Sequence, residues 1–217
     1  MQAHPDAFFQ PYTPEWYLAH GDADHFNETF SVGRAIGDVL QPESVIDVGC
    51  GLGTMLWAVY AATHGCECFG LESSEMLRND RVVEALAVPR GWVSGVDLRA
   101  FLRDYMLGPT DKLDSRALGR YDVAVCMEVA EHLPESCAQW LVRYLAERAP
   151  VVVWSAATPG QGGEGHINEQ TVDYWEGKFH DAGLLFDPKL SHDVLWRFQG
   201  QIPHVPWYGG LRVFRHL

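Results

Sequence analysis

No stretch of this 217-residue sequence approaches the roughly 18 consecutive apolar residues of a membrane-spanning helix, so no such span is expected. Basic residues are scarce: 16 Lys and Arg stand against 29 Asp and Glu, a net charge of −13. That field repels a phosphate backbone, and the densest basic stretches, Arg78 to Arg81 and Arg143 to Arg148, are interrupted by apolar or acidic residues. A nucleic-acid partner is therefore disfavoured and a small-molecule one favoured. The 5 cysteines are odd in number and lack framework spacing, which argues against a disulfide scaffold; Cys66, Cys68 and Cys126 lie in apolar segments. The first residues, "MQAHPDAFFQPYTPEW", have neither a basic region nor a continuous apolar one, so no secretory signal is read and the cytoplasm is the expected compartment. Internal repeats and Pro/Ser/Gly linkers are also lacking, which points to one domain with one core.

What is present is an alternation. Short apolar, β-branched runs recur at 44–49, 68–72, 91–96, 121–127, 151–156 and 211–217, each of a length suited to a buried strand. Between most of them lie helical patterns with start and stop signals: "GTMLWAVYAATHG" has Gly at both ends, "PESCAQWLVRYLAERA" opens on Pro134, and "NEQTVDYWEGKFHDAG" stops at Gly183. Such alternation predicts an α/β fold with a Rossmann-like, mostly parallel sheet, right-handed crossovers and helices on both faces. Residues 1–40, with Tyr12, Trp16 and Tyr17 and a helix in "NETFSVGRAIGDVL", are expected to cap one end of the sheet; 41–217 form the α/β domain. After Gly183 helices are expected to cease. "HDVLWRF" and "LRVFRHL" read as two strands, an antiparallel pair at one sheet edge.

In "VIDVGCGLG" a strand ends in Asp47-x-Gly49-x-Gly51-x-Gly53 before a helix. Glycines permit backbone angles closed to other residues and let a ligand approach the main chain, although a tight strand-to-helix turn needs no ligand. The nicotinamide fingerprint would need glycine at Thr54, and the Lys-Ser/Thr of a phosphate loop is missing. Glu72 and Asp97 end the next two strands, so with Asp47 they converge where open parallel sheets bind ligands. Glu72 suits a vicinal diol and Asp97 an exocyclic amine; each is also a credible helix cap or solvated strand end.

The ordered set "VIDVGCGLG", "FGLE", "GVDL" and "YDVAVCMEVAEHLP" resembles the class I S-adenosylmethionine-dependent methyltransferases over residues 40–217. The resemblance implies a seven-stranded sheet with an antiparallel last strand. It also implies that Asp47, Gly49 and Gly51 face the methionine end of S-adenosylmethionine, that Glu72 binds the ribose hydroxyls, that Asp97 and Leu98 meet the adenine, and that Met127 lines the pocket behind it, with Ser73 also among the cofactor-binding residues.

Glu131 and His132 follow Glu128 by three and four positions, so a helical turn there would put all three on one face. Acidic residues in a first turn also simply complement the helix dipole. The loop "TPGQGGEGHINEQ", a surface connection or a mobile lid, leaves the next strand and carries His166 toward the same edge. Glu128, Glu131, His132 and His166 make an oxygen and nitrogen set suited to Mg²⁺, Mn²⁺, Fe²⁺ or Zn²⁺. The turn is similar to that of metal-assisted O-methyltransferases of ubiquinone biosynthesis and of small-RNA 3′ ends, though a charge of −13 departs from the RNA-modifying kind. On that resemblance a cation on these four residues would activate a hydroxyl of a sugar or secondary metabolite, with Glu128, His132 and His166 carrying the chemistry. Two alternatives stay open: a metal-free enzyme with His132 or His166 as general base, and a non-methylating S-adenosylmethionine-binding protein. Trp175, Trp196, Trp207 and Tyr208 are core packing or an acceptor wall.

Overall fold

The computed structural model describes residues 15, 18–19, 23–199 and 210–216. Most of the aromatic segment expected to cap the sheet, and Trp207 and Tyr208, lie outside the described residues. The chain runs α1 (Ala23–Leu40), β1 (Ser44–Val48), α2 (Thr54–Thr63), β2 (Glu67–Ser73), α3 (Asp80–Glu84), β3 (Val93–Val96), α4 (Leu98–Leu107) and β4 (Val123–Met127). It continues with α5 (Ala138–Arg148), β5 (Val151–Ser155), α6 (Val172–Asp181), β6 (Leu185–Phe186), α7 (Pro188–Gln199) and β7 (Arg212–Arg215).

The strands form one seven-stranded sheet in the order β3-β2-β1-β4-β5-β7-β6. Pairing is parallel from β3 through β5, and β7 is antiparallel to both β5 and β6. This is the expected Rossmann-like sheet. Because successive side chains point to opposite faces, Val123, Val125 and Met127 of β4 enter one core while Ala124 and Cys126 enter the other. Helices α1, α2 and α7 cover the first face; α4, α5 and α6 cover the second. Helix α1 therefore packs along α2 and α7 within a face layer. All five cysteines are free, and the Cys66 and Cys68 thiols lie 3.3 Å apart at the start of β2.

The end of the chain corrects the sequence reading. "HDVLWRF" lies in helix α7, and β7 sits inside the sheet with β6 as the edge. The period decides it: Leu190, Val194 and Phe198 recur every four residues and turn one apolar face to the core, a pattern that β-branched and aromatic content disguised. The start signals are also helical. Asp187 accepts from the Leu190 amide at 2.9 Å as a cap, with Pro188 next to it at the first helical position.

Helices α1 and α2 meet at Gly33, where an added Cβ would stand 2.6 Å from the Met55 carbonyl oxygen and 2.7 Å from Ala58 Cβ. Gly33→Ala gains about 1 kcal/mol of helix propensity, yet it forces the helices apart at a cost of roughly 1–3 kcal/mol. The variant is expected to lower the urea midpoint without changing the slope; a raised midpoint would show that the contact yields freely.

Candidate functional site

The parallel order brings the carboxyl ends of β2, β1, β4 and β5 side by side, and the loops leaving them form the site. After β1 the chain turns through Gly49, Gly51 and Gly53 at φ values of 80°, 54° and 80°. At Gly49 the requirement is twofold, since a Cβ would also lie 2.3 Å from Val129 Cγ2 of the turn after β4. Glu72, buried at the end of β2, accepts from the Gly51 and Ser73 amides at 2.6 Å each, which fixes the glycine loop against β2. Asp47, buried on β1, has its carboxyl pushed up to about 8, first by burial and then by the Glu72 charge.

Asp97 is exposed and caps α4, accepting from the Ala100 amide at 3.0 Å; Leu98 begins that helix, half-buried against the core. Met127 is buried at the end of β4. These residues thus stand along one edge, from β3 to β4.

Beyond Met127 the expected helical turn is a single 3₁₀ turn, Ala130–His132. Glu128 precedes it with φ 54°, a left-handed conformation rare for a residue with a side chain and an indicator of local strain. Burial raises the Glu128 carboxyl, while Gln161 Nε2 approaches one of its oxygens at 3.5 Å. Glu131 is 0% exposed, its carboxyl enclosed beside that of Glu128 and the Ala157 backbone. Burial first, and the neighbouring Glu128 second, push the Glu131 carboxyl up to about 8.

The loop after β5 folds onto this turn. The Ile167 and Asn168 amides donate to the Glu131 carbonyl at 2.8 and 3.1 Å, and His132 Nδ1 donates to the Gly165 carbonyl at 3.2 Å. The His132 and His166 rings meet edge-on with centroids 4.9 Å apart. One potential ligand atom each from Glu131, His132 and His166 lies within 4.8 Å of the others. Glu128 stands beside Glu131 but outside that triad. Burial depresses His132 to about 4, so it is neutral near pH 7.

Sequence reasoning missed Glu169. Its carboxylate accepts from His166 Nδ1 at 3.0 Å and from the Gly160 and Gly162 amides at 2.8 and 2.7 Å. Those bonds hold it below the usual carboxylate range, the His166 bond foremost. With Nδ1 donating, the His166 lone pair sits on Nε2. The available signal was an acid three residues after a histidine in a glycine-rich loop.

The buried Asp47 gives a pH dependence. Its folded value of about 8 exceeds the ordinary 3.8, so the folded chain keeps a proton that the unfolded chain releases between those values. Its contribution is full below about pH 4 and is lost as pH rises toward 8. Asp47→Asn is expected to stabilise the ligand-free protein at pH 8 by roughly 1–3 kcal/mol and to flatten the decline of melting temperature from pH 5 to 8; a decline as steep as the parent's would contradict this.

A family model described as a methyltransferase domain matches residues 31–186. The ubiquinone biosynthesis O-methyltransferase of Bordetella avium is 33% identical over 98 residues, which is 44% of this chain and 34% of that protein. Its namesake from Acinetobacter baylyi is 30% identical over 96 residues, 44% of this chain and 35% of that protein. The chain thus spans well under half the length of these curated relatives. The solved structure of human N-acetylserotonin methyltransferase with S-adenosylmethionine superposes with a TM-score of 0.58 at 12% identity, over 94% of this chain and 56% of the other. The plantazolicin methyltransferase BpumL gives 0.55 at 12% identity, over 94% and 90%. At these identities the two structures speak for the fold. With the family match over most of its length, this chain belongs to the methyltransferase-domain family and has the class I S-adenosylmethionine-dependent methyltransferase fold.

Proposed function

We propose that the protein transfers a methyl group from S-adenosylmethionine to a hydroxyl of a small-molecule acceptor, with a divalent cation on Glu131, His132 and His166. The observation that carries the metal is the meeting of Glu131, a fully buried carboxyl crowded by that of Glu128, with two imidazoles, one potential ligand atom of each lying within 4.8 Å of the others. Two carboxyls crowded together in a buried site are costly to ionise, and a cation offsets that cost.

The glycine loop fits the methyl donor in the same sense. Three left-handed glycines clear its surface, and Glu72, which holds the loop through the Gly51 and Ser73 amides, brings a carboxylate to its edge for ribose hydroxyls. Asp47, Gly49 and Gly51 would face the methionine end, and Ser73, Asp97, Leu98 and Met127 the nucleoside. When bound, S-adenosylmethionine supplies a methyl group on a positive sulfur. The cation, when bound, supplies a Lewis acid that lowers the pKa of the acceptor hydroxyl.

The chain's own contribution is positioning and charge. Glu169 holds His166 in one tautomer, with its lone pair on Nε2, and the Gly165 carbonyl does the same for His132. Glu128 and Glu131 provide the negative charge that offsets a cation. With both groups bound, these residues would hold the acceptor oxygen in line with the methyl–sulfur bond, so that an O–C bond would form as the C–S bond breaks with its electron pair on sulfur and the hydroxyl proton passes to solvent.

One observation favours a metal-free version of the same transfer. The His166–Glu169 pair is a base with an orienting carboxylate, whereas a His132 depressed to about 4 is a poor base. Calorimetric titration of Mn²⁺ separates the readings. One site is expected, lost in Glu131→Gln and His166→Ala and weakened roughly 10- to 100-fold in Glu169→Gln; absence of Mn²⁺ binding, with turnover unchanged by chelator, would leave the His166 base. Glu72→Ala is expected to weaken S-adenosylhomocysteine binding at least about tenfold, and unchanged affinity would remove Glu72 from the ribose site. Labelled methyl groups appearing in no acceptor, with cofactor binding intact, would favour the non-methylating alternative.

A further inference from the structure

The imidazole of His166 is gripped on more than one side. Glu169 accepts from its Nδ1 at 3.0 Å, and the His132 ring meets it edge-on, with centroids 4.9 Å apart and 76° between the planes. A third contact comes from Gly163, earlier on the same loop. A Cβ added at Gly163 would overlap the ring outright, with Cε1 and Nε2 equally near and Cδ2 next at 2.8 Å. The main chain at Gly163 can lie against the imidazole only because no side chain stands between them.

The order of those distances gives the direction of approach. The lone pair of Nε2 lies in the ring plane and points away from both neighbouring carbons, so a group on its axis would be nearer to Nε2 than to Cε1. Gly163 shows no such preference, and its backbone therefore lies over the ring face beside the Cε1–Nε2 bond, leaving the lone pair uncovered. A carboxylate at the Nδ1 edge and main chain across the face together restrict both flip and tilt of the ring. Gly163 also differs from the other glycines of its loop. Gly160, Gly162 and Gly165 stand at φ values of 87°, 69° and 73°, so the turn itself accounts for them, whereas Gly163 is not left-handed. Its backbone would accept alanine; the ring is what excludes one.

We infer that Gly163 is a positioning residue for His166: bare main chain that lets the loop clamp the imidazole and fix the direction of its Nε2 lone pair. The use of that direction in holding a cation rests on the metal-assisted reading proposed above; the clamp itself does not. Because the obstacle to a Cβ is the end of a side chain and not backbone, the ring yields before the fold does. Gly163→Ala thus separates a positioning role from a structural one.

The first readout needs no substitution. In the whole chain a nuclear Overhauser contact is expected between the Gly163 Hα protons and His166 Hε1, and its absence would overturn the inference. In Gly163→Ala the His166 Cε1–H signal is expected to move and calorimetric Mn²⁺ affinity to fall at least about tenfold. The urea midpoint and the affinity for S-adenosylhomocysteine are expected to stay at the parent's values. A variant that binds Mn²⁺ as tightly as a binding parent contradicts the positioning role. So does one whose Mn²⁺ affinity falls only together with the midpoint and S-adenosylhomocysteine binding, the mark of general structural damage. If neither protein binds Mn²⁺, the His166 signal decides: a moved signal keeps the clamp and rejects the metal reading alone, and an unmoved one rejects the clamp as well.

Discussion

Two backbone amides, those of Ile167 and Asn168, donate to the carbonyl of Glu131, and the chemistry of this sheet edge hangs on that junction. It pins the loop after β5 onto the turn after β4. With it come the edge-on contact of His132 and His166 and the enclosure of the Glu131 side chain. Without it, a loop rich in glycine would have little reason to hold one conformation. Glu169 completes the arrangement from within the loop, since its carboxylate gathers the Gly160 and Gly162 amides and the His166 ring together.

Along the same edge lies an electrostatic imbalance. Asp47, Glu128 and Glu131 are all carboxyls that burial drives upward, and each is held there by sheet or turn geometry. Buried acids without compensating cations cost stability in the ligand-free chain. A sulfonium-bearing donor near Asp47 and a dication near Glu131 would both relieve that cost, so binding and stability are coupled at both halves of the site. Gly49 and Val129 set those halves side by side, close enough that any side chain at position 49 would collide with the turn that carries Glu131.

Much of this was legible in the sequence, for physical reasons that differ by residue. Asp47, the glycines and Glu72 are read from local order, because a strand, a tight turn and a strand-end acid are short-range features. Convergence of His166 on Glu131 and His132 followed from topology alone, as both loops leave strand carboxyl ends. Helix α7 was misread because Val194, Leu195, Trp196 and Phe198 favour strands by composition, whereas the four-residue spacing and the Asp187–Pro188 start are what the fold obeys. Glu169 was missed for another reason: its spacing from His166 is the one side-chain signal, and its other partners are backbone amides of glycines, which no side-chain pattern announces. The helix-cap reading of Asp97 is seen directly in its bond to Ala100, and the other duties proposed for it depend on a ligand.

The central claim is that Glu131, His132 and His166 form a cation site beside a methyl-donor site. The most direct measurement is anomalous X-ray scattering from a crystal grown with Mn²⁺ and S-adenosylhomocysteine. A manganese peak within about 2.0–2.3 Å of one Glu131 oxygen and one nitrogen of each histidine, with the nucleoside over the glycine loop, is the expected result. A nucleoside in place with no peak at the triad would contradict it.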